Sequence, residues 1–128
     1  MRLVAAILAG CALLASALPA QAAAAARLRG LDKISGQARD FLAPLNSPVK
    51  FGALNIVVRA CQQRPPEETP PETSAYLVIK QIPPQKPREG APPVSDAPIF
   101  QGWMFASSPA LHALEHPAYD VWVISCAN

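Results

Sequence analysis

The chain has 128 residues, of which 51% are hydrophobic, with 11 basic and 9 acidic side chains and a net charge of +2. This near balance argues against the concentrated basic face that nucleic-acid binding requires, so no nucleic-acid partner is expected. The length suffices for one small domain and is too short for two.

The first 22 residues have the pattern of a secretory signal peptide. Met1-Arg2 is followed by an uncharged apolar run, Leu3 to Pro19, and then by Ala20-Gln21-Ala22, which has the small-x-small form of a cleavage site. We therefore expect residues 1–22 to be removed and the mature protein to be periplasmic.

Two alternatives for this segment would place the domain on a membrane. Leu8-Ala9-Gly10-Cys11 has the form of a bacterial lipoprotein box, in which Cys11 would be lipidated. An uncleaved signal would act as an anchor, although Pro19 and Gln21 interrupt the apolar run that a spanning helix needs. Membrane association is expected only in these two cases.

Residues 23–30 are alanine-rich and then basic, and they show no apolar alternation. This composition predicts a disordered lead. A single β-rich domain is then expected over residues 31–128. Its first element is predicted to be an edge or bent strand over 32–42, where Gly36 interrupts the apolar positions.

Two stronger strand patterns follow, separated by proline-rich segments. Residues 49–61 are rich in β-formers, and Gly52-Ala53 indicates a bulge or a tight bend within this strand. Residues 75–82 predict the next strand. The segments 62–73 and 83–98 contain several prolines, which lack the amide hydrogen that a β-ladder needs, so both are predicted to be exposed loops.

The last part of the chain holds both tryptophans and both histidines. Within it, Ser108 is a candidate helix N-cap, Pro109 suits the first helical position, and Pro117 prevents continuation. The elements predicted here are a strand, a short helix and a strand, over residues 99–106, 109–116 and 119–126.

Five to six short strands with proline-rich turns and one short helix favour an all-β, mainly antiparallel fold, a small sandwich or barrel. Cys61 and Cys126 each end a predicted strand. In an oxidising compartment two such cysteines most simply form a disulfide, because a metal site would lack the usual Cys-x-x-Cys spacing.

His112-Ala-Leu-Glu115-His116 matches the H-x-x-E-H pattern of inverted zinc peptidases, in which two histidines one helical turn apart hold the metal. Those enzymes use a further acidic ligand well downstream, whereas Asp120 is the one acidic residue after His116. Two interpretations stay open: metal ligands at His112 and His116, and a capped helix whose histidines bond to their neighbours. No cofactor is expected.

Ser107 and Ser108, with His116 and Asp120, contain the residue types of a hydrolase triad. The Gly-x-Ser-x-Gly elbow that would expose a nucleophilic serine is missing, so helix capping explains Ser108 better. A non-enzymatic protein is favoured.

Trp103-Met104-Phe105 is an unbroken apolar triplet. On a strand, Trp103 and Phe105 face one way and Met104 the other. Exposed aromatic side chains beside a groove could bind a sugar or a partner protein, but packing in the core is the commoner fate of tryptophan and phenylalanine and is the favoured expectation.

Several motifs along the chain are shared with a known family. They are Asp32-Lys33-Ile34-Ser35-Gly36, Arg59-Ala60-Cys61 continuing to Arg64-Pro65-Pro66-Glu67-Glu68, Gly102-Trp103-Met104-Phe105-Ala106-Ser107-Ser108-Pro109, Leu114-Glu115-His116-Pro117, Tyr119-Asp120-Val121-Trp122 and Cys126. With these motifs the chain resembles a family of small exported proteins from alphaproteobacteria known as domain of unknown function 2155. The resemblance implies an envelope location and a single β-rich domain, and it supplies no activity and no catalytic residue.

The sequence therefore favours a periplasmic, disulfide-stabilised module that binds or helps to assemble an envelope component. Its partner would be an envelope protein or a cell-wall component that the sequence does not name. The alternatives are a metal-binding or hydrolytic protein that uses the histidine cluster, and a carbohydrate-binding module. The candidate surface comprises Trp103, Ser107, Ser108, His112, Glu115, His116 and Asp120.

Overall fold

A computed structural model describes residues 23–128 of the chain. The predicted signal peptide, residues 1–22, and with it Cys11, lies outside the described residues. The strands formed by the described part are β1 Ala25–Asp32, β2 Gln37–Pro44, β3 Val49–Phe51, β4 Leu54–Gln63, β5 Thr73–Gln81, β6 Phe100–Phe105 and β7 Tyr119–Ala127.

These strands form two antiparallel sheets. The first has three strands in the order β2-β1-β7, and the second has four in the order β3-β4-β5-β6. Their inner faces pack on each other as an open sandwich and do not close into a barrel. The all-β, mainly antiparallel fold class is confirmed, with one strand more than the upper number expected.

The core follows from the two-residue alternation of the central strands. In β5, and in β4 as far as Val58, every second side chain points inward, because successive side chains of a strand face opposite sides of the sheet; a register shift between Val58 and Ala60 then brings Cys61 inward. Leu28 of β1 and Val123 of β7 complete the contact from the other sheet, and both are almost fully shielded from solvent. The largest fully buried side chains are Leu28, Leu54, Ile56, Leu77, Ile79, Val58 and Val123.

The prediction of a disordered lead over residues 23–30 is wrong. β1 begins at Ala25 and lies in the middle of its sheet, paired with β2 on one side and β7 on the other. Ala26 and Leu28 face the core while Arg27 and Arg29 face solvent, so a short alternation of apolar and basic residues is present here, contrary to the expectation. The ordered domain therefore starts before Leu31, because long-range pairing stabilises a strand whose own apolar pattern is weak.

Two segments that were predicted to be single strands each contain a turn: residues 32–42 comprise the end of β1, a turn and most of β2, and residues 49–61 comprise β3, a turn and most of β4. Residues 33–36 form a turn between β1 and β2, in which Asp32 Oδ1 accepts hydrogen bonds from the amides of Ile34 and Ser35 at 2.9 and 3.1 Å. Gly52, with a φ of 55°, joins β3 to β4 at the position where a bulge or a bend was expected. A glycine that adopts a positive φ can reverse the chain where other residues are strained.

The predicted helix over residues 109–116 is also wrong. The described residues form turns there, closed by backbone hydrogen bonds from Ser108 to Phe105 and from Leu111 to Ser108. A helix would place Leu111 and Leu114 on one face. Instead Leu111 is 69% exposed and Leu114 is 3% exposed, because the irregular path lets Leu114 alone enter the core. No helix in residues 23–128 could cross a bilayer.

The disulfide between Cys61 and Cys126 is present and joins the two sheets. Cys61 lies in β4 of the four-stranded sheet and Cys126 in β7 of the three-stranded sheet, with their Cα atoms 5.8 Å apart. The two cysteines are separated by 65 positions. A covalent link across so long a loop lowers the entropy of the unfolded chain, which stabilises the folded state by about 4 kcal/mol in the chain-entropy model.

Replacement of both Cys61 and Cys126 by alanine should lower the free energy of unfolding by about 2–4 kcal/mol. Urea unfolding followed by tryptophan fluorescence measures the loss, and reductant should produce a similar loss in the unaltered protein. The double variant serves as the control, because reductant should leave its stability unchanged. Detection of two reactive thiols in the unreduced protein would contradict the bridge.

Candidate functional site

The candidate surface residues lie on β6, on the segment that follows it, and at the start of β7. We name residues 106–118 the closing segment. It runs back beside β6, since Ser107 meets Glu72 at one end, the ring of His112 lies next to Gly102, and His116 meets Gln81 at the other end. The surface is therefore a line of separate contacts rather than a convergent site.

Ser107 is held by Glu72, which precedes β5. The Glu72 carboxylate accepts hydrogen bonds from the Ser107 hydroxyl, from the Ser107 amide at 3.2 Å and from the Thr73 amide at 3.1 Å. The bond from the Ser107 hydroxyl is the main reason that the pKa of Glu72 lies below its usual value, and the amide bond from Ser107 follows. Because its hydroxyl donates to a carboxylate, Ser107 is not placed as a nucleophile activated by histidine.

His116 has partners at both ring nitrogens. The Ala118 amide donates to Nδ1 at 3.0 Å, so the proton of the neutral ring is assigned to Nε2, which donates to Gln81 Oε1 at 2.9 Å. The ring also packs against Tyr119, with 5.0 Å between centroids. These contacts fix the ring as a structural link between β5, the closing segment and β7.

The histidine cluster is not arranged as in the zinc peptidases. Since the closing segment is not helical, His112 and His116 do not share a helical face, and His112 and Glu115 are exposed. Within residues 23–128 no group of three or more His, Cys, Asp or Glu side chains is placed to hold a metal ion.

Asp120 is paired with a lysine of the β1–β2 turn. Lys33 Nζ lies 3.3 Å from Asp120 Oδ1 and donates to the carbonyl oxygen of His116 at 2.6 Å. Both side chains are partly exposed, so solvent screens the ion pair and its contribution to stability is small. Its role is to hold the turn against the end of the closing segment.

Trp103 lies on the outer face of the four-stranded sheet. It pairs directly with Tyr76 across β5 and β6, and the two rings meet edge to face with centroids 5.5 Å apart and planes at 77°. Met104 faces the opposite way and is buried, so the opposite orientation of Met104 and Trp103 is confirmed, whereas the expectation that Trp103 and Phe105 pack in the core is wrong. We name the half-buried outward residues Tyr76, Val78, Trp103 and Phe105 the aromatic strip.

Three residues that structure this region were not predicted. Tyr76 could have been found, because it alternates with the buried Ala75 and Leu77 in a strand that was recognised. Glu72 and Gln81 have no local sequence signal. Their partners lie 35 positions away, and only the folded chain brings them together.

A family model described as "Uncharacterized protein conserved in bacteria (DUF2155)" matches residues 26–126. The match extends from β1 to Cys126, so it covers both sheets, the closing segment and the disulfide. No curated protein and no solved structure matches the chain.

Replacement of His116 by alanine should lower the free energy of unfolding by about 1–3 kcal/mol, because it removes two hydrogen bonds and leaves the Gln81 amide oxygen unpaired. The matched control is His112→Ala, which should change stability by less than about 0.5 kcal/mol, since that side chain is exposed. Chemical denaturation measures both. Equal losses, or zinc-dependent stabilisation that both variants abolish, would contradict the structural role of His116.

Replacement of Glu72 by glutamine should destabilise the protein at neutral pH and less so in acid. A carboxylate whose folded-state pKa is depressed stabilises the fold above its unfolded pKa, and this contribution disappears as the pH falls through the folded pKa. The difference in unfolding midpoint between Glu72→Gln and the unaltered protein should therefore shrink between pH 7 and about pH 3.

The control for this measurement is Glu67→Gln, an exposed glutamate in the same loop. The difference in unfolding midpoint between Glu67→Gln and the unaltered protein should be small and should not shrink as the pH falls. A Glu72→Gln difference that stays constant over the same range would show that the carboxylate charge does not stabilise the closing segment.

Proposed function

The chain belongs to this family of uncharacterised bacterial proteins, and we propose that it is a periplasmic, disulfide-stabilised binding module without catalytic activity. The observation that carries the proposal is the aromatic strip on the outer face of the four-stranded sheet. The signal-peptide pattern of residues 1–22 supports export. The Cys61–Cys126 disulfide supports an oxidising compartment, because such bonds persist there and are rare in the cytosol.

The polar groups of the strip support a binding role. Neither the Tyr76 hydroxyl nor the Trp103 indole N–H has a hydrogen-bond partner among the described residues, and neither is a buried unsatisfied group. Tyrosine and tryptophan in this situation combine an apolar ring with an available donor. These are the residue types enriched in the centres of protein interfaces.

The neighbours of the aromatic pair make the strip continuous. Val78 pairs with Gln101, and Ser74 pairs with Phe105, so the aromatic pair lies between two cross-strand pairs that each join an apolar and a polar side chain. All of these side chains point away from the core. The partner is therefore expected to lie across β5 and β6, and we propose an envelope protein as its most favoured class.

The contacts of the closing segment support the absence of catalysis. Ser107 donates to Glu72, His116 bonds to Gln81 and to its own segment, and Asp120 pairs with Lys33. Ser107, His116 and Asp120 are therefore each engaged in holding the closing segment in place, and the exposed Ser108 hydroxyl bonds to no histidine within residues 23–128. Hydrolysis of an ester, peptide or glycan by the purified protein, lost in His116→Ala, would overturn this part of the proposal.

A photo-crosslinking residue at Gln101 tests the binding face, because Gln101 is exposed on the same side of β6 as Trp103. In living cells it should form a discrete protein adduct, and Trp103→Ala should reduce the adduct yield by about tenfold or more, as for an interface hot spot. Trp122→Ala, on the other sheet, is the matched control and should leave the yield unchanged.

The same crosslinker at Leu42, which is exposed on the three-stranded sheet, should give no such adduct. Adducts at Leu42 that equal those at Gln101 would contradict the choice of face. An adduct with cell-wall glycan that disappears on muramidase treatment would favour the carbohydrate-binding alternative over an envelope protein.

A further inference from the structure

A cavity of about 210 Å³ lies at one end of the sandwich and shares no residue with the aromatic strip. It is open to solvent on one side and is lined by the β1–β2 turn, the start of β2, the β3–β4 turn and the start of β7. The side chains that give it chemical character are Asp32, Gln37, Arg39, Phe51 and Tyr119.

The cavity carries two opposite charges that do not pair. Arg39 and Asp32 both line it, yet no ion pair within 4 Å joins them among the described residues. The Asp32 carboxylate is kept ionised by the amides of Ser35 and Ile34, which lower its pKa. A cation and an anion therefore face one small volume, each able to take a ligand group of the opposite sign.

Aromatic rings hold the guanidinium of Arg39. Its central carbon lies 5.4 Å from the centroid of Phe41 and 5.2 Å from that of Phe51, and these two rings stack nearly parallel. A cation placed over aromatic faces is stabilised while its N–H donors stay available. No side-chain hydrogen bond of Arg39 is formed within residues 23–128.

Tyr119 adds a hydroxyl hydrogen-bond donor to the lining of the same cavity. Its ring meets Phe51 edge to face, and its hydroxyl oxygen accepts the amide of Ala53 at 3.3 Å. Because the hydroxyl acts as an acceptor in that bond, its own proton can be donated to a ligand. A carboxylate beside Arg39 would find this second donor in the same cavity.

Two glycines make room for the aromatic wall. A Cβ at Gly30 would lie 2.5 Å from the Phe51 ring, and a Cβ at Gly52 would lie 2.5 Å from the Tyr119 ring. These distances are far inside van der Waals contact. Only glycine at both positions allows Phe51 and Tyr119 to lie where they line the cavity.

We propose that this cavity binds a small zwitterion of the α-amino-acid class. The ligand carboxylate faces Arg39 and Tyr119, and its ammonium group faces Asp32. An apolar side chain of the ligand packs on Phe51 and Tyr119. The volume agrees, because 210 Å³ is below the range of about 300–1,000 Å³ typical of sites for drug-sized ligands.

Isothermal titration calorimetry of the purified protein with a panel of free α-amino acids tests the proposal. At least one apolar or aromatic amino acid should bind in a saturable, one-to-one manner. Its N-acetylated and its carboxamide derivatives should each bind about tenfold or more weakly, because each lacks one charged contact. Equal binding of both derivatives and the parent amino acid would overturn the proposal, as would the absence of saturable heat for every member of the panel.

Two substitutions assign the contacts. Arg39→Gln should weaken binding of the parent amino acid about tenfold and leave binding of the carboxamide unchanged. Asp32→Asn should also weaken binding of the parent amino acid about tenfold, but it should leave binding of the N-acetyl derivative unchanged. Asparagine keeps the oxygen that accepts the turn amides, so the turn is retained. Arg88→Gln in the remote loop is the charge-matched control and should bind like the unaltered protein.

A third variant guards against an indirect effect of charge. Gln37→Phe fills the cavity from its exposed rim without changing the charge, since Gln37 lies on the same face of β2 as Arg39, and it should abolish binding while the unfolding midpoint stays unchanged. Undiminished binding in this variant would place the ligand elsewhere. Because the cavity and the aromatic strip share no residue, loss of binding here leaves the Gln101 adduct unaffected.

Discussion

The inner faces of the two sheets meet through Leu28 and Val123 on one side and Ile56, Leu77 and their neighbours on the other, and neither sheet alone has a layer to cover these side chains. A small domain buries a limited share of its surface, so its core leaves little margin of stability. The Cys61–Cys126 bridge crosses from one sheet to the other and reduces the entropy that folding must overcome. The covalent link therefore stabilises the apolar contact between the sheets. The side chains on the outward faces and in the loops take no part in this contact.

The closing segment covers part of the core at the β6 side of the sandwich. Leu114 is its one side chain that is buried, while polar anchors at Ser107 and His116 hold its two ends. Partly exposed anchors of this kind define position more than they add stability, because water competes for each hydrogen bond. This explains how a run of serines, histidines and an aspartate that resembles catalytic machinery serves to fix a path for the chain.

The two regions proposed to bind ligands use different properties of the same fold. The aromatic strip is a flat outer sheet face, whose alternation with the core leaves Tyr76 and Trp103 half exposed. The end cavity depends on turns, where Gly52 allows an aromatic wall to approach the backbone closely. An outer sheet face suits a macromolecule, whereas a half-open cavity with a cation and an anion suits a small molecule. The two sites are expected to act independently.

Local sequence determined the properties that depend on short periods. The β-rich class, the strands around Ile56, Leu77 and Val123, and the opposite orientation of Trp103 and Met104 follow from alternation, and the two cysteines at strand ends indicated their bridge. Tertiary structure decided the rest. β1 forms because two neighbouring strands pair with it. Residues 109–116 follow an irregular path on which Leu114 is buried and Leu111 is exposed. Arg39 and Tyr119 line one cavity only because the folded chain brings separate turns together. Contacts between residues far apart in sequence carry no local periodicity, so they could be read only from the folded chain.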